Sequence, residues 1–162
     1  MKRILVPIDF SSATPRVLKV AGQLAKSLGA DIQLIHVQQI PPPMPPVGSG
    51  YAMSGMPELM PMSTLPLGQP IPPPIAPNES EKQQLAQWQS QLQQQGVIAT
   101  TQNPIGDVGD EILRMADSAN VDLIVMGRHS HGAMYNLLVG SVTEAVLKRS
   151  RWPVLLVPEI RQ

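Results

Sequence analysis

The chain contains no cysteine. That excludes disulfides, thiolate nucleophiles and every cysteine-based metal site. Aromatic residues are nearly as scarce, with one phenylalanine, two tryptophans and two tyrosines among 162 residues. Charge of either sign is also in no excess: twelve basic and twelve acidic side chains cancel. With no basic stripe, nucleic acid is not expected as a main partner. No apolar run is long enough to cross a bilayer, and Ile4-Leu5-Val6-Pro7 after Met1-Lys2-Arg3 is too short for a signal peptide. A cytoplasmic protein is the expectation. The length suits one domain with a real core.

What is present alternates. Residues 3–8 are a near-continuous apolar run rich in β-branched side chains, as in a strand buried on both faces of a parallel sheet. Asp9 follows at its C-terminal end. Ser11 or Ser12 is expected to cap the next helix, which tolerates Pro15 in its first turn. That helix carries Val17, Leu18, Ala21, Leu24, Ala25 and Leu28 at helical spacing and stops at Gly29. Strand two is expected from Ile32 to Val37.

Between about residues 39 and 78 the pattern breaks. Pro41 to Pro77 holds thirteen of the eighteen prolines and five of the nine methionines. Proline at this density removes backbone donors and fixes φ, so neither helix nor internal strand is expected. The stretch reads as a flexible insertion within a single domain spanning 1–162. Polyproline II geometry is expected at Pro41-Pro42-Pro43 and Pro72-Pro73-Pro74. Met44, Met53, Met56, Met60 and Met62 offer soft ligands for copper(I), an adaptable surface for an unknown protein partner, or only disorder.

Asn78 with Glu81 resembles a capping box opening a Gln-rich helix over 79–95. Its thin apolar face is Leu85, Trp88 and Leu92, and its glutamines read as a solvated face. Strand three is expected over 97–101. Asp107 and Asp110 suit the start of a helix with Ile112, Leu113, Ala116 and Ala119 inward, Asp107 being its cap. Strand four at 121–126, a helix over about 141–149 and strand five at 154–157 complete the chain. This βαβαβαβαβ order implies an α/β fold: one doubly wound, five-stranded parallel sheet with right-handed crossovers, flavodoxin- or Rossmann-like, helices on both faces.

The stretch from Gly127 to Glu144 organises the rest. A buried strand ending in a Gly-bearing polar loop, with a second Gly at a helix start, is how α/β proteins build an anion site. The spacing matches neither GxGxxG nor GxxxxGK[ST]. Two readings of Gly140-Ser141 stand side by side. Ser141 and Glu144 can form a capping box; or the amides of Ser141, Val142 and Thr143, with nearby hydroxyls, can receive phosphate oxygens.

Gly127, Gly140 and Ser141 fall on three of four marks of the spacing Gly, two residues, Gly, nine residues, Gly, Ser or Thr. This resembles the nucleotide-binding signature of the universal stress protein family. Ser130 stands where the signature has its second glycine, and a Cβ there costs roughly 1 kcal/mol if the residue needs φ > 0. Gly132 can restore some freedom. Residues 4–11 resemble the family's opening strand, and 141–147 and 153–158 its closing helix and strand.

The resemblance implies strand order 3-2-1-4-5 and a crevice between strands one and four. The ligand it implies is ATP or AMP, with or without Mg2+ near Asp9. Asp9 would lie beside the nucleotide, although a solvent-facing carboxylate after a strand is common. Pro7, Val37 and Met126 would flank the base, and Ile8 is also expected among the nucleotide-binding residues, although core roles serve apolar strand-end residues equally well. Arg128 would favour di- or triphosphate if it points inward. Of His129 and His131, at most one faces the crevice, and the pair is a poor zinc signal.

The family pairs as a homodimer through its last strand. Val154-Leu155-Leu156-Val157 would otherwise be an unusually apolar bare edge. The function implied is a ligand-dependent regulatory dimer of the stress response. Two alternatives remain: a nucleotide-free interaction module of the same fold, and a slow ATPase. The chain supplies no evident nucleophile, general base or second catalytic carboxylate near the phosphates.

Overall fold

The computed structural model describes residues 2–39, 79–128 and 140–159. Nine elements follow in strict alternation: β1 Arg3–Pro7, α1 Thr14–Leu28, β2 Asp31–Ile35, α2 Glu79–Gln94, β3 Ala99–Gln102, α3 Val108–Ser118, β4 Leu123–Arg128, α4 Ser141–Arg149 and β5 Val154–Pro158. The five strands form one sheet in the order β3-β2-β1-β4-β5, and every ladder is parallel. The sheet is the doubly wound, Rossmann-like one that the alternation implies. The insertion over 39–78 and the Asn78 cap lie outside the described residues, apart from Gln39.

Strand side chains alternate between faces, so each strand feeds two apolar layers. Ile4, Val6, Ile32, Leu34, Leu123 and Val125 meet α1 and α2 through Val17, Leu18, Ala21, Leu85 and Leu92. Leu5, Ile35, Ile124 and Met126 meet α3 and α4 through Ile112, Met115, Ala116 and Val146. Ile4, Leu5, Leu34, Ile35 and Ile124 are fully buried, and each such side chain contributes about 1.5–3 kcal/mol relative to exposure. α1 keeps five of its six expected apolar positions in or against the core, but Leu28 is exposed in the last turn. The helix stops where Gly29 takes φ 60°, a left-handed turn that glycine adopts without Cβ strain.

The caps differ from expectation at two helices. Neither Ser11 nor Ser12 caps α1; Ala13 holds that position with no side-chain bond. The chain already turns at Phe10, and the Ser11 hydroxyl accepts from the Ala13 amide at 3.3 Å, before the helix begins. Ser12 Oγ instead bonds Glu159 beyond β5. At α4 the cap is Gly140, with Ser141 already the first helical residue. The Gly140 carbonyl accepts from the Glu144 amide, and the Glu144 carboxylate pairs with Lys148 at 2.6 Å. No Ser141–Glu144 capping box forms. Asp107 behaves as expected, its Oδ1 accepting from the Asp110 amide at 3.0 Å.

Strand limits shift by up to two residues, because neighbours rather than local composition decide where pairing ends. β2 closes at Ile35, β3 starts at Ala99, and β4 runs on through Gly127 and Arg128, which pair with Val157 and Pro158. The Gln-rich face of α2 is not wholly solvated. Gln89 and Gln93 both donate to the Ala99 carbonyl, at 2.8 and 3.2 Å, tying the helix to edge strand β3.

At the N-terminal end of the sheet, the Asp122 carboxylate accepts from the Lys2 amide at 2.6 Å and the Arg3 amide at 3.0 Å. Those two donors, Lys2 first, hold its pKa below the usual carboxylate value. Arg3 Nη1 donates to the Ala119 carbonyl at 2.7 Å, fastening the same corner.

Candidate functional site

The C-terminal end of the sheet behaves differently. The β1–β4 ladder joins Ile4 to Leu123 and Leu5 to Ile124, whereas β1–β2 runs on to Pro7–Ile35 and β4–β5 to Arg128–Pro158. The β1–β4 pairing stops at Leu5 and Ile124, and the two strands feed helices on opposite faces: β1 feeds α1 on one, and the chain after β4 reaches α4 on the other. This is the topological switch point, where open α/β sheets take ligands.

Asp9 stands at the lip. Its Oδ1 accepts from the Ser11 amide at 3.1 Å and the Thr14 hydroxyl at 3.4 Å, which fixes the carboxylate against the start of α1. Pro7 is half-buried, and Ile8 is buried in the α1/α2 layer. Val37 and Met126 are buried in the opposite layer, against which Val142 also packs. Three residues expected around a ligand thus share one apolar cluster, and Val37 and Met126 fill core positions there.

Gly127 is buried, and Arg128 is exposed at the end of β4. Gly140 takes φ −55° and ψ 150°, a conformation open to any residue, so backbone freedom does not explain the glycine. It offers no side chain to the first turn of α4, and the amides of a helix's first turn have no partner within the helix. Ser141 is exposed, whereas Thr143 is buried. His129, Ser130, His131 and Gly132 lie outside the described residues. Among the described residues, no three His, Asp or Glu gather as a metal site, and no helix is long and apolar enough to cross a membrane.

Sequence reasoning missed a cluster behind Asp9. Phe10 takes φ 57° and packs edge-on to His36, with ring centroids 4.5 Å apart, and stacks on Trp88 of α2 at 5.3 Å. His36 Nδ1 lies 2.9 Å from the Ile8 carbonyl; a carbonyl only accepts, so that nitrogen carries the proton. His36 Nε2 lies 3.7 Å from a Glu81 carboxylate oxygen. The available signal was the one phenylalanine of an aromatic-poor chain, placed directly after the strand-end aspartate.

A model of the universal stress protein family matches residues 1–59 and 57–158. The chain belongs to that family. Universal stress protein MJ0531 of Methanocaldococcus jannaschii is 28% identical over 158 residues, covering 96% of this chain and 81% of its own. Stress response protein NhaX of Bacillus subtilis is 27% identical over 162 residues, covering 96% of both chains. Among solved structures, universal stress protein UspA of Lactobacillus plantarum has TM-score 0.69 at 21% identity over 96% of this chain and 97% of its own. A universal stress protein in complex with cAMP has TM-score 0.65 at 20% identity, covering 97% and 96%. One from Archaeoglobus fulgidus in complex with dAMP has TM-score 0.61 at 19% identity, covering 96% and 97%. At these identities the structural likeness is one of fold.

Proposed function

We propose that this universal stress protein binds an adenine nucleotide, ATP or AMP, at the β1–β4 switch point and acts as a ligand-dependent dimer. The observation that carries the reading is the meeting of two features at one end of the sheet. The β1–β4 ladder ends early there, with Asp9 at its lip, and α4 opens there on a glycine cap with no side-chain acceptor. Nucleotide complexes of proteins with this fold support it.

In this reading the first amides of α4, at Ser141, Val142 and Thr143, receive phosphate oxygens. The exposed Ser141 hydroxyl adds a donor, while buried Thr143 contributes its amide. Gly140 serves by letting the backbone approach phosphate closely, which a Cβ would obstruct. Pro7 backs the base, with the buried strand-end residues Ile8 on one face of the sheet and Val37 and Met126 on the other behind it. Gly127, Arg128, His129, Ser130 and Gly132 belong to the phosphate loop, and a guanidinium at Arg128 suits di- or triphosphate. Asp9 sits beside the ribose. Mg2+, arriving with the nucleotide, would be held by that one carboxylate and the phosphates, as Mg2+ commonly is.

The dimer forms through β5, where Leu155 is exposed and Val154 and Leu156 are half-buried in the single chain. An edge strand with such side chains calls for a partner. The first experiment is mass spectrometry of the small molecule released when the purified protein is heat-denatured, followed by calorimetric titration with ATP and AMP. An adenine nucleotide near one per chain supports the reading. No binding of either nucleotide at millimolar concentration overturns it in favour of an interaction module.

A further inference from the structure

Phe10 is held in a conformation that a residue with a Cβ adopts only when its surroundings impose it. Its φ of 57° lies in the left-handed region, which is uncommon for a bulky side chain. The fold supplies the constraint. The Phe10 ring is edge-on to His36, with planes 65° apart, and stacked on Trp88, with planes 27° apart. His36 is fixed in turn through Nδ1–H to the Ile8 carbonyl, in the residue pair just before Phe10. Trp88 and the Phe10 ring both pack against the α1/α2 apolar layer.

The consequence falls on the preceding residue. Asp9 Oδ1 accepts from the Ser11 amide, an Asx-turn whose middle residue is Phe10. The left-handed residue thus lies inside the turn that brings the Ser11 amide to that oxygen. We propose that Phe10, braced by Trp88 and His36, is a positioning residue that sets the Asp9 carboxylate for the ligand, so that α2 influences an affinity it does not contact. The nucleotide part of this inference rests on the reading of the switch point given above.

Two measurements test it separately. In the ligand-free protein, Phe10→Ala and Trp88→Leu are expected to speed hydrogen exchange of the Ser11 amide as its bond to Asp9 loosens, with Trp88→Phe restoring protection. In the ligand-bound protein, Phe10→Ala is expected to weaken AMP binding about tenfold, equivalent to about 1.4 kcal/mol. That loss should vanish when Asp9→Ala is already present, because the effect passes through Asp9. A merely structural role gives equal losses in both backgrounds, and that additivity, or unchanged Ser11 amide exchange in both folded variants, overturns the proposal. If the wild-type protein binds neither ATP nor AMP, the nucleotide reading fails, and the exchange rate of the Ser11 amide alone decides whether Phe10 positions Asp9.

Discussion

Gly109 of α3 lies directly against Ala145 of α4: a Cβ added at Gly109 would come within 3.3 Å of the Ala145 Cβ and 3.4 Å of Asp107 Oδ1. The Ala145 Cβ cannot move without its backbone, and Asp107 Oδ1 is held by its bond to the Asp110 amide. Gly109→Val should therefore push the two helices apart, at a cost of roughly 1–3 kcal/mol from overpacking. Because α4 begins at Ser141, the displacement should also weaken nucleotide binding. Chemical denaturation and calorimetric titration of the variant check both effects.

Asp107→Ala removes the side-chain acceptor that caps α3. A loss of about 1 kcal/mol is expected. Asp107→Asn keeps an acceptor at the same place and should recover most of it. Denaturant midpoints of the three proteins decide the matter; equal midpoints for wild type and Asp107→Ala would mean the cap contributes nothing.

Gly140 separates approach from conformation. Its φ of −55° is open to alanine, so Gly140→Ala should cost no more than about 1 kcal/mol of stability, the ordinary preference of an N-cap for glycine over alanine. The added methyl should still weaken ATP or AMP binding by about tenfold or more if phosphate meets the backbone there. Retained affinity in the alanine variant would count against a phosphate at this turn.

Asp122 predicts an acid-limb effect with a definite sign. Its folded pKa is depressed by the Lys2 and Arg3 amides. Stability from this group is therefore fully present above the unfolded carboxylate value of about 3.9, and is lost as pH falls through the lower folded value. Asp122→Ala should be less stable than wild type at neutral pH, with the gap closing in acid. A gap of constant size from pH 7 to pH 2 would contradict the assignment.

Leu155→Glu places a charge on the exposed face of β5. If that edge is the dimer contact, light scattering after size-exclusion chromatography should show a shift from dimer to monomer with the fold intact by circular dichroism. A wild-type protein that is already monomeric removes the premise.

The topology was legible because it rests on patterns with little competition. Apolar runs at 3–8 and 121–126 read as buried strands, and capping and stop signals at Asp107 and Gly29 did as expected. The caps at Ser11 and Ser141 were not legible, because a serine beside a helix start has several backbone partners available and tertiary context chooses among them. The same holds for Gln89 and Gln93, whose amides found the Ala99 carbonyl only once β3 lay beside α2. At the site, Asp9 at the strand end could be read from the chain. The burial of Val37, Met126 and Thr143 could not, since an apolar or hydroxyl side chain at a strand or helix end carries no mark of which way it faces. Phe10 was hidden for another reason: its unusual backbone depends on His36 and Trp88, which come from distant parts of the chain.

The corner made by Lys2, Arg3, Ala119 and Asp122 has a mechanical consequence. It ties the starts of the two central strands together at the rim opposite the switch point. A force prising β1 from β4 at the free rim meets no ladder beyond Leu5 and Ile124, while the pinned rim stays shut. The sheet's central seam is in this sense laced where the strands begin and unlaced where they end.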